Sequence, residues 1–262
     1  MTNLVIKEIK NLLSFLTVLP VKMDNNLLSD CARYMFAFPL IGAFIGLIAG
    51  AFGWATQLFL PSIVVGGLVT AALLWLTGLH HTDGLLDFGD GVMVHGTPER
   101  KIEVMHDQLT GAGGLSLGIL TILITALAIG QINASIIIPA IIAVEVSAKF
   151  SMVVMARVGK ATHQGMNTSF LSFMHGTQGT IRLLMGLMIS LVITTIPLLL
   201  YWTELPYWTG GLVILAGILT SLVMTFIAHR NFNGVTGDVF GATNELARLV
   251  SLIALLAVIS WI

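Results

Sequence analysis

Apolar runs of about twenty residues alternate with short polar connections along most of the chain, and about twenty helical residues are what a hydrocarbon core requires. The pattern predicts seven spans, at 33–58, 63–79, 113–131, 135–156, 182–201, 207–228 and 246–262. Residues 4–19 differ: Lys7, Lys10, Asn11 and Ser14 fall on one helical stripe and apolar side chains fill much of the rest. Such a helix lies in the membrane interface or packs on the bundle as a first helix, and Pro20 ends it. The predicted fold class is all-α: a polytopic integral membrane helical bundle of about seven transmembrane helices plus an N-terminal interfacial helix. In the first span, Gly42, Gly46 and Gly50 recur every four residues, which lets helices approach closely. Packing inside the bundle is the expected use of that face, and a homo-oligomer contact is the alternative.

Lys and Arg divide unevenly between the two sets of connections. Lys7, Lys10, Lys22, Arg33, Arg100, Lys101, Arg157, Lys160, Arg182, Arg230 and Arg248 fall on segments or span ends of one side, whereas 60–62, 132–134 and 202–206 have none. The excess of cations marks the cytoplasmic side, so the N-terminus and every long polar loop are expected there, in the cell membrane. The start shows no pattern of a cleavable signal, so insertion is expected to depend on the first membrane helix. A mean hydropathy of +0.95 fits a chain dissolved in the lipid bilayer. A net charge of −1 offers no basic surface for nucleic acid. The single Cys31 has no disulfide partner and is expected to be a buried, inert thiol.

Against that background, 77–114 stands out, reading TGLHHTDGLLDFGDGVMVHGTPERKIEVMHDQLTGAGG. It holds six of the thirteen acidic residues and four of the seven histidines, in a chain that is only 10% charged. On a helix continuing out of the preceding apolar run, Asp83, Asp87 and Asp90 share one face at i, i+4 and i+7, with His80 one turn earlier. A solvated loop would account for one such aspartate, but three in register repel one another unless a cation lies between them. Oxygen ligation without sulfur suits Mg²⁺, whose shell substrate phosphates commonly complete. Zn²⁺ through His80, His81 and Asp83 is a weaker alternative, unsupported by any cysteine.

Three further polar features share that side or lie near it. Glu145 and Lys149 sit four residues apart inside the fourth span, where pairing lowers the cost of burial. Lys149 is near enough to the cytoplasmic end to extend toward a phosphate. The segment after that span, GKATHQGMNTSFLSFMHGTQGT, is rich in hydrogen-bonding groups such as His163, Gln164 and Asn167 and reads as a cap over a polar ligand or an ordinary loop. In the connection 229–245, Asp238 and Glu245 lie seven residues apart beside Asn244, so a helix entering the last span would present them together as a second wall of one site.

These pieces resemble the cobalamin synthase family, the adenosylcobinamide-GDP ribazoletransferases. The matching stretches are FLTVLPV, YMFAFPLIGAFIG, TGLHHTDGLLDFGDGV, MHDQLTGAGG and GVTGDVFGATNELA, in the family's order and across the chain. Members commonly read G-G-x-H-x-D-G-L-A-D, which aligns His81, Asp83 and Asp87 with the family's His and two Asp, puts Leu79 at its second Gly and Leu86 at its Ala. Lys149 falls where members commonly carry Arg. The resemblance implies a Mg²⁺-dependent integral membrane enzyme, with residues 1–262 as a single membrane-embedded catalytic domain. A hydroxyl of α-ribazole, or of its 5′-phosphate, attacks the cobinamide-linked phosphorus of adenosylcobinamide-GDP, and GMP leaves.

Displacement at a diphosphate needs charge neutralisation and positioning more than covalent catalysis. Asp83, Asp87 and Asp90 are therefore assigned to metal, with one of them or Asp107 as the base. Asp238 and Glu245 are a second metal or substrate-binding set with Asn244. His81, with His80 beside it, is assigned to substrate, and Lys149, Arg100 and Lys101 to phosphate charge. Two other readings compete. A transporter would place acids near the midplane of both halves, and a CDP-alcohol phosphotransferase would carry an Ala-Arg that is missing here after the weakly similar Asp87-x-x-Asp90-Gly91.

Overall fold

The computed structural model describes residues 2–21, 27–162, 166–201 and 204–261. Lys22, His163, Gln164 and Trp202 lie outside the described residues. Twelve α-helices follow in order: α1 (Thr2–Leu16), α2 (Leu27–Arg33), α3 (Phe38–Gln57), α4 (Ser62–Leu76), α5 (His80–Met93), α6 (Pro98–Met105), α7 (Ala112–Ile129), α8 (Ile137–Val158), α9 (Met166–Met174), α10 (Gly176–Tyr201), α11 (Thr209–Phe232) and α12 (Gly237–Ile259), with a 3₁₀ turn at Met35–Ala37 before α3. No strand occurs among the described residues, so the all-α membrane bundle is observed as expected.

Among the described residues, six helices are individually long and apolar enough to cross a membrane: α3 with its 3₁₀ turn, α7, α8, α10, α11 and α12. The helix α4, whose 15 residues span about 22 Å, makes a seventh only when counted with α5 as one broken span. It joins α5 through a 95° bend. The expected continuation of the 63–79 helix through Asp83, Asp87 and Asp90 is thus corrected: Thr77 ends α4, and Gly78 (φ 66°) and Leu79 (φ 62°) turn the chain in left-handed conformations. Leu79 occupies the position where the resembling family commonly has glycine, and a side chain there costs about 1–2 kcal/mol.

The last span also differs from expectation. It begins nine residues earlier than 246, at Gly237. The Thr236 hydroxyl accepts from the Val239 amide and Asp238 stands in the first turn, a hydroxyl cap and an acid where the helix dipole favours both. The polar stretch 229–245 is therefore mostly helical, and the connector between α11 and α12 shrinks to 233–236.

The helix α8 runs through the middle, buried on nearly every side, as a helix apolar all round must be. It lies directly on α3 because Gly42, Gly46 and Gly50 offer no side chains. A Cβ at Gly46 would stand 2.6 Å from Ile142 Cα, and one at Gly50 2.9 Å from Ile138 Cα. The small-residue face is used within the bundle. Outward-facing Phe44, Leu47, Ile124, Met188, Leu219 and Phe226 are exposed, as lipid-facing positions should be.

Contacts tie one set of helix ends into a polar face. Val18 N donates to Leu76 O at 2.9 Å and Val235 N to Lys160 O at 2.7 Å, Lys101 Nζ reaches Asn231 Oδ1 at 2.7 Å, and Asn167 Nδ2 donates to Val235 O at 2.6 Å. The segment predicted as a cap thus contributes α9, and its Asn167 secures the 233–236 connector. At the other ends, Gln57 Nε2 donates to Ile132 O at 2.8 Å. On α1, Asn11 is buried and bonds Asp30 Oδ2 at 2.9 Å, so this helix packs on α2 rather than only floating in the interface. Cys31 is buried as expected, and burial, with Asp30 nearby, pushes its thiol up to about 12.

Gly46→Ala should lower the thermal midpoint by roughly 2–10 °C, because overpacking costs about 1–3 kcal/mol. Melting of the purified variant with size-exclusion light scattering checks this. A change of oligomer size at unaltered stability would instead mark the glycine face as a contact between copies.

Candidate active site

The helix α5 lies across the polar end of the bundle, clamped between α7 and α12. Its approach to α12 is backbone to backbone: a Cβ on Gly84 would stand 2.9 Å from Asp238 Cα. That contact carries Asp238, from the far end of the sequence, to the aspartates of α5. Asp83 is exposed, while Asp87, Asp90 and Asp238 are half-buried. Burial first, then the charges of Asp83, Asp238 and Asp90, raise the Asp87 carboxyl to about 7. The cause is an excess of negative charge in a partly desolvated place, the condition a cation relieves.

Asp90 has a second task. Its Oδ2 accepts from the Gly111 amide at 2.7 Å and its Oδ1 from the Gly114 amide at 2.8 Å, so it caps the start of α7, where backbone amides lack helical partners. This leaves only its remaining lone pairs for other duty. His106, just after α6, places Nε2 3.9 Å from Asp238 Oδ2. Asp107, next to it, is exposed and accepts from the Leu109 amide at 3.1 Å. Among the described residues, no group of three or more His, Cys, Asp or Glu side chains is arranged to hold a metal ion.

Beneath the cluster lies a buried charge network. Arg248 of α12 bonds both Glu145 of α8 and Glu245 of its own helix. Lys149 Nζ donates to Asn244 Oδ1 at 2.7 Å and stands 3.8 Å from Glu145 Oε2, and Asn244 Nδ2 donates to Glu245 Oε1 at 3.1 Å. Two carboxylates and two cations thus balance in the interior. The predicted Glu145–Lys149 pair is present, but its chief cation is Arg248, a residue expected at a span end and found buried eleven residues inside α12. Lys149 directs its amine inward, with no exposure toward the polar face. Glu245 and Asn244 belong to this network rather than to the aspartate cluster.

Of the two histidines, His80 is exposed and His81 is buried. Burial, then Lys149, Arg248 and His80, drives the His81 imidazole well below its ordinary pKa, so it is neutral at pH 7. Its Nδ1 and the Thr82 hydroxyl are buried without a hydrogen-bond partner. Arg100 is exposed and paired with Glu103 at 2.6 Å, and Lys101 is tied to α11.

A model of the cobalamin-5-phosphate synthase family matches residues 8–256. The chain belongs to that family. It is 31% identical to a protein of Methanocella arvoryzae over 92% of this chain and 91% of the relative. It is 32% identical to one of Thermococcus onnurineus, over 93% and 95%, and 28% identical to one of Methanococcoides burtonii, over 94% and 90%. Each relative is named adenosylcobinamide-GDP ribazoletransferase. No solved structure matches the chain.

Sequence reasoning missed Arg248 and His106 in this family member. For Arg248 the signal was present, an acid three residues earlier on a common helical face, and starting the helix at Thr236 would have exposed it. For His106 there was none, because only the fold brings the α6 end to Asp238.

Two substitutions separate the roles. Asp90→Ala removes the cap of α7 and should cost about 2 kcal/mol, a fall of roughly 4–8 °C in melting temperature, while Asp83→Ala at an exposed position should leave the melting curve within about 2 °C of the parent. Arg248→Met strands Glu145 and Glu245 in the interior and should cost about 3–5 kcal/mol, read as a much lower melting temperature. A melt close to the parent's would show that the pair does not hold α12.

Proposed function

We propose that this chain transfers the adenosylcobinamide phosphate group from adenosylcobinamide-GDP to α-ribazole or its 5′-phosphate, releasing GMP. The product is adenosylcobalamin or its 5′-phosphate, which places the chain at the end of cobalamin biosynthesis. The observation that carries the reading is the convergence of Asp83, Asp87, Asp90 and Asp238 on one polar face of a family member matched over residues 8–256. A membrane bundle that only held its shape would not collect uncompensated acids there, since their repulsion costs stability.

The chemistry of the donors fits Mg²⁺, since carboxylate oxygens are hard and sulfur is absent. Asp83, Asp87 and Asp238 would hold it, with Asp90 lending its remaining lone pairs. When bound, Mg²⁺ supplies neutralisation of the charge that builds on the diphosphate. The chain's residues do the rest. His81 and His80 flank the donor at the start of α5, and Arg100 and Lys101 on α6 bring positive charge to the same face. One carboxylate, Asp107 or a member of the cluster, accepts the proton of the attacking hydroxyl. The hydroxyl oxygen forms its bond to the cobinamide-linked phosphorus as the bond to the bridging oxygen breaks, and GMP carries that oxygen away. The polar face looks into the cytoplasm with the N-terminus, a reading that the cation excess supports.

The gathering of the unpaired acids at helix ends favours this reading over a transporter, whose acids belong near the midplane.

Purified protein in lipid, given adenosylcobinamide-GDP, α-ribazole and Mg²⁺, should release GMP and form the joined corrinoid. EDTA should abolish turnover, and Asp87→Ala should reduce it by at least about a hundredfold. Folded protein that gives no product with either acceptor would sink the assignment.

A further inference from the structure

A second polar pocket lies away from the aspartates. The helix α5 packs on α6, α7 and α12, whereas α10 packs on α3, α8, α9 and α11. Where α10 meets the end of α2, a cavity of about 250 Å³ is lined by Arg33, Tyr34, Gln178 and Arg182 together with Ile181 and Met185. Both guanidinium groups are held on rings: Arg33 lies 5.5 Å from the centroid of Tyr34 and Arg182 5.4 Å from that of Phe173. Arg182 also donates to the Phe173 carbonyl. Stacking fixes such a group while leaving edge donors for another acceptor.

The floor of the pocket belongs to a different medium. Along α10, Ile181, Leu184, Met185 and Met188 are 54%, 54%, 44% and 62% exposed, the flank this spanning helix turns to acyl chains. Arginines at one end and bilayer at the other call for a ligand that is anionic at its head and apolar behind it. A free phosphate would satisfy only the first half.

We propose that this cavity binds the headgroup of an anionic phospholipid, with its phosphate between Arg33 and Arg182 and its chains along Ile181 and Met185. The site is independent of the transfer reaction, and its failure would leave that assignment untouched.

The test is thermal unfolding of the full chain in a neutral maltoside detergent. It is titrated in turn with dioctanoyl phosphatidylglycerol, dioctanoyl phosphatidylcholine, glycerol phosphate and inorganic phosphate. Phosphatidylglycerol should raise the melting temperature saturably and phosphatidylcholine should not. The double variant Arg33→Gln, Arg182→Gln should need roughly 30-fold more phosphatidylglycerol for the same shift. Arg230→Gln, at the α11 end, should behave as the parent. If the double variant does not fold, Gln178→Glu serves instead, placing an exposed carboxylate in the pocket while keeping both arginines, and should weaken the response likewise. An unchanged response in these pocket variants, an equal loss in Arg230→Gln, or an equal shift from glycerol phosphate or inorganic phosphate would overturn the lipid assignment.

Discussion

Arg248 sits where a lone charge could not stay. A guanidinium buried in the middle of a spanning helix needs carboxylates around it, and it has Glu145 on α8 and Glu245 on α12. The arrangement is demanding because removing any one member leaves a charge unpaired in low dielectric. That demand fixes the register of α12 against α8, and the register of α12 decides where its first turn lies. Asp238 stands in that turn. The interior ion network and the exposed aspartate cluster are therefore two ends of one helix, and the first aligns the second.

The same logic explains why α8 must touch α3 without side chains between them. Gly42 faces the backbone of Glu145, where a Cβ would stand 2.5 Å from the carbonyl oxygen and 3.0 Å from Lys149 Cγ. A larger residue would push α8 outward at the level of its charges, and the network would lose its geometry before the bundle lost its shape. Small residues here protect electrostatics as much as packing.

Much of this was legible in the chain because membrane helices obey simple rules. Apolar runs of crossing length gave the spans, the lack of cations at 60–62, 132–134 and 202–206 separated the two faces, and three aspartates at helical spacing marked the polar helix. What was hidden lay at junctions. Leu79 adopts a left-handed conformation that its side chain disfavours, so nothing local announced the 95° bend. Hydropathy placed the start of the last span at 246 because the two turns before it are polar, although Thr236 and Asp238 form a serviceable helix start. That misplaced boundary moved Arg248 to a span end and concealed its role. Asp90 likewise reads as a third ligand in register, and only the fold shows Gly111 and Gly114 drawing on it.

The chain treats its acids in two ways. Glu145 and Glu245 are answered by Arg248 and Lys149 inside the bundle, where burial leaves no alternative. At the polar face, burial and then the charges of Asp83, Asp238 and Asp90 lift Asp87 to about 7. Of the cations on α6, Arg100 is paired with Glu103, while Lys101 is held at Asn231 and keeps its charge. A fold able to satisfy buried carboxylates with arginine and lysine had the means to do so at its surface, where the cost is smaller. The charge left unbalanced there is what supports the proposed metal, which would arrive with a diphosphate and bring the reacting phosphorus to the same place.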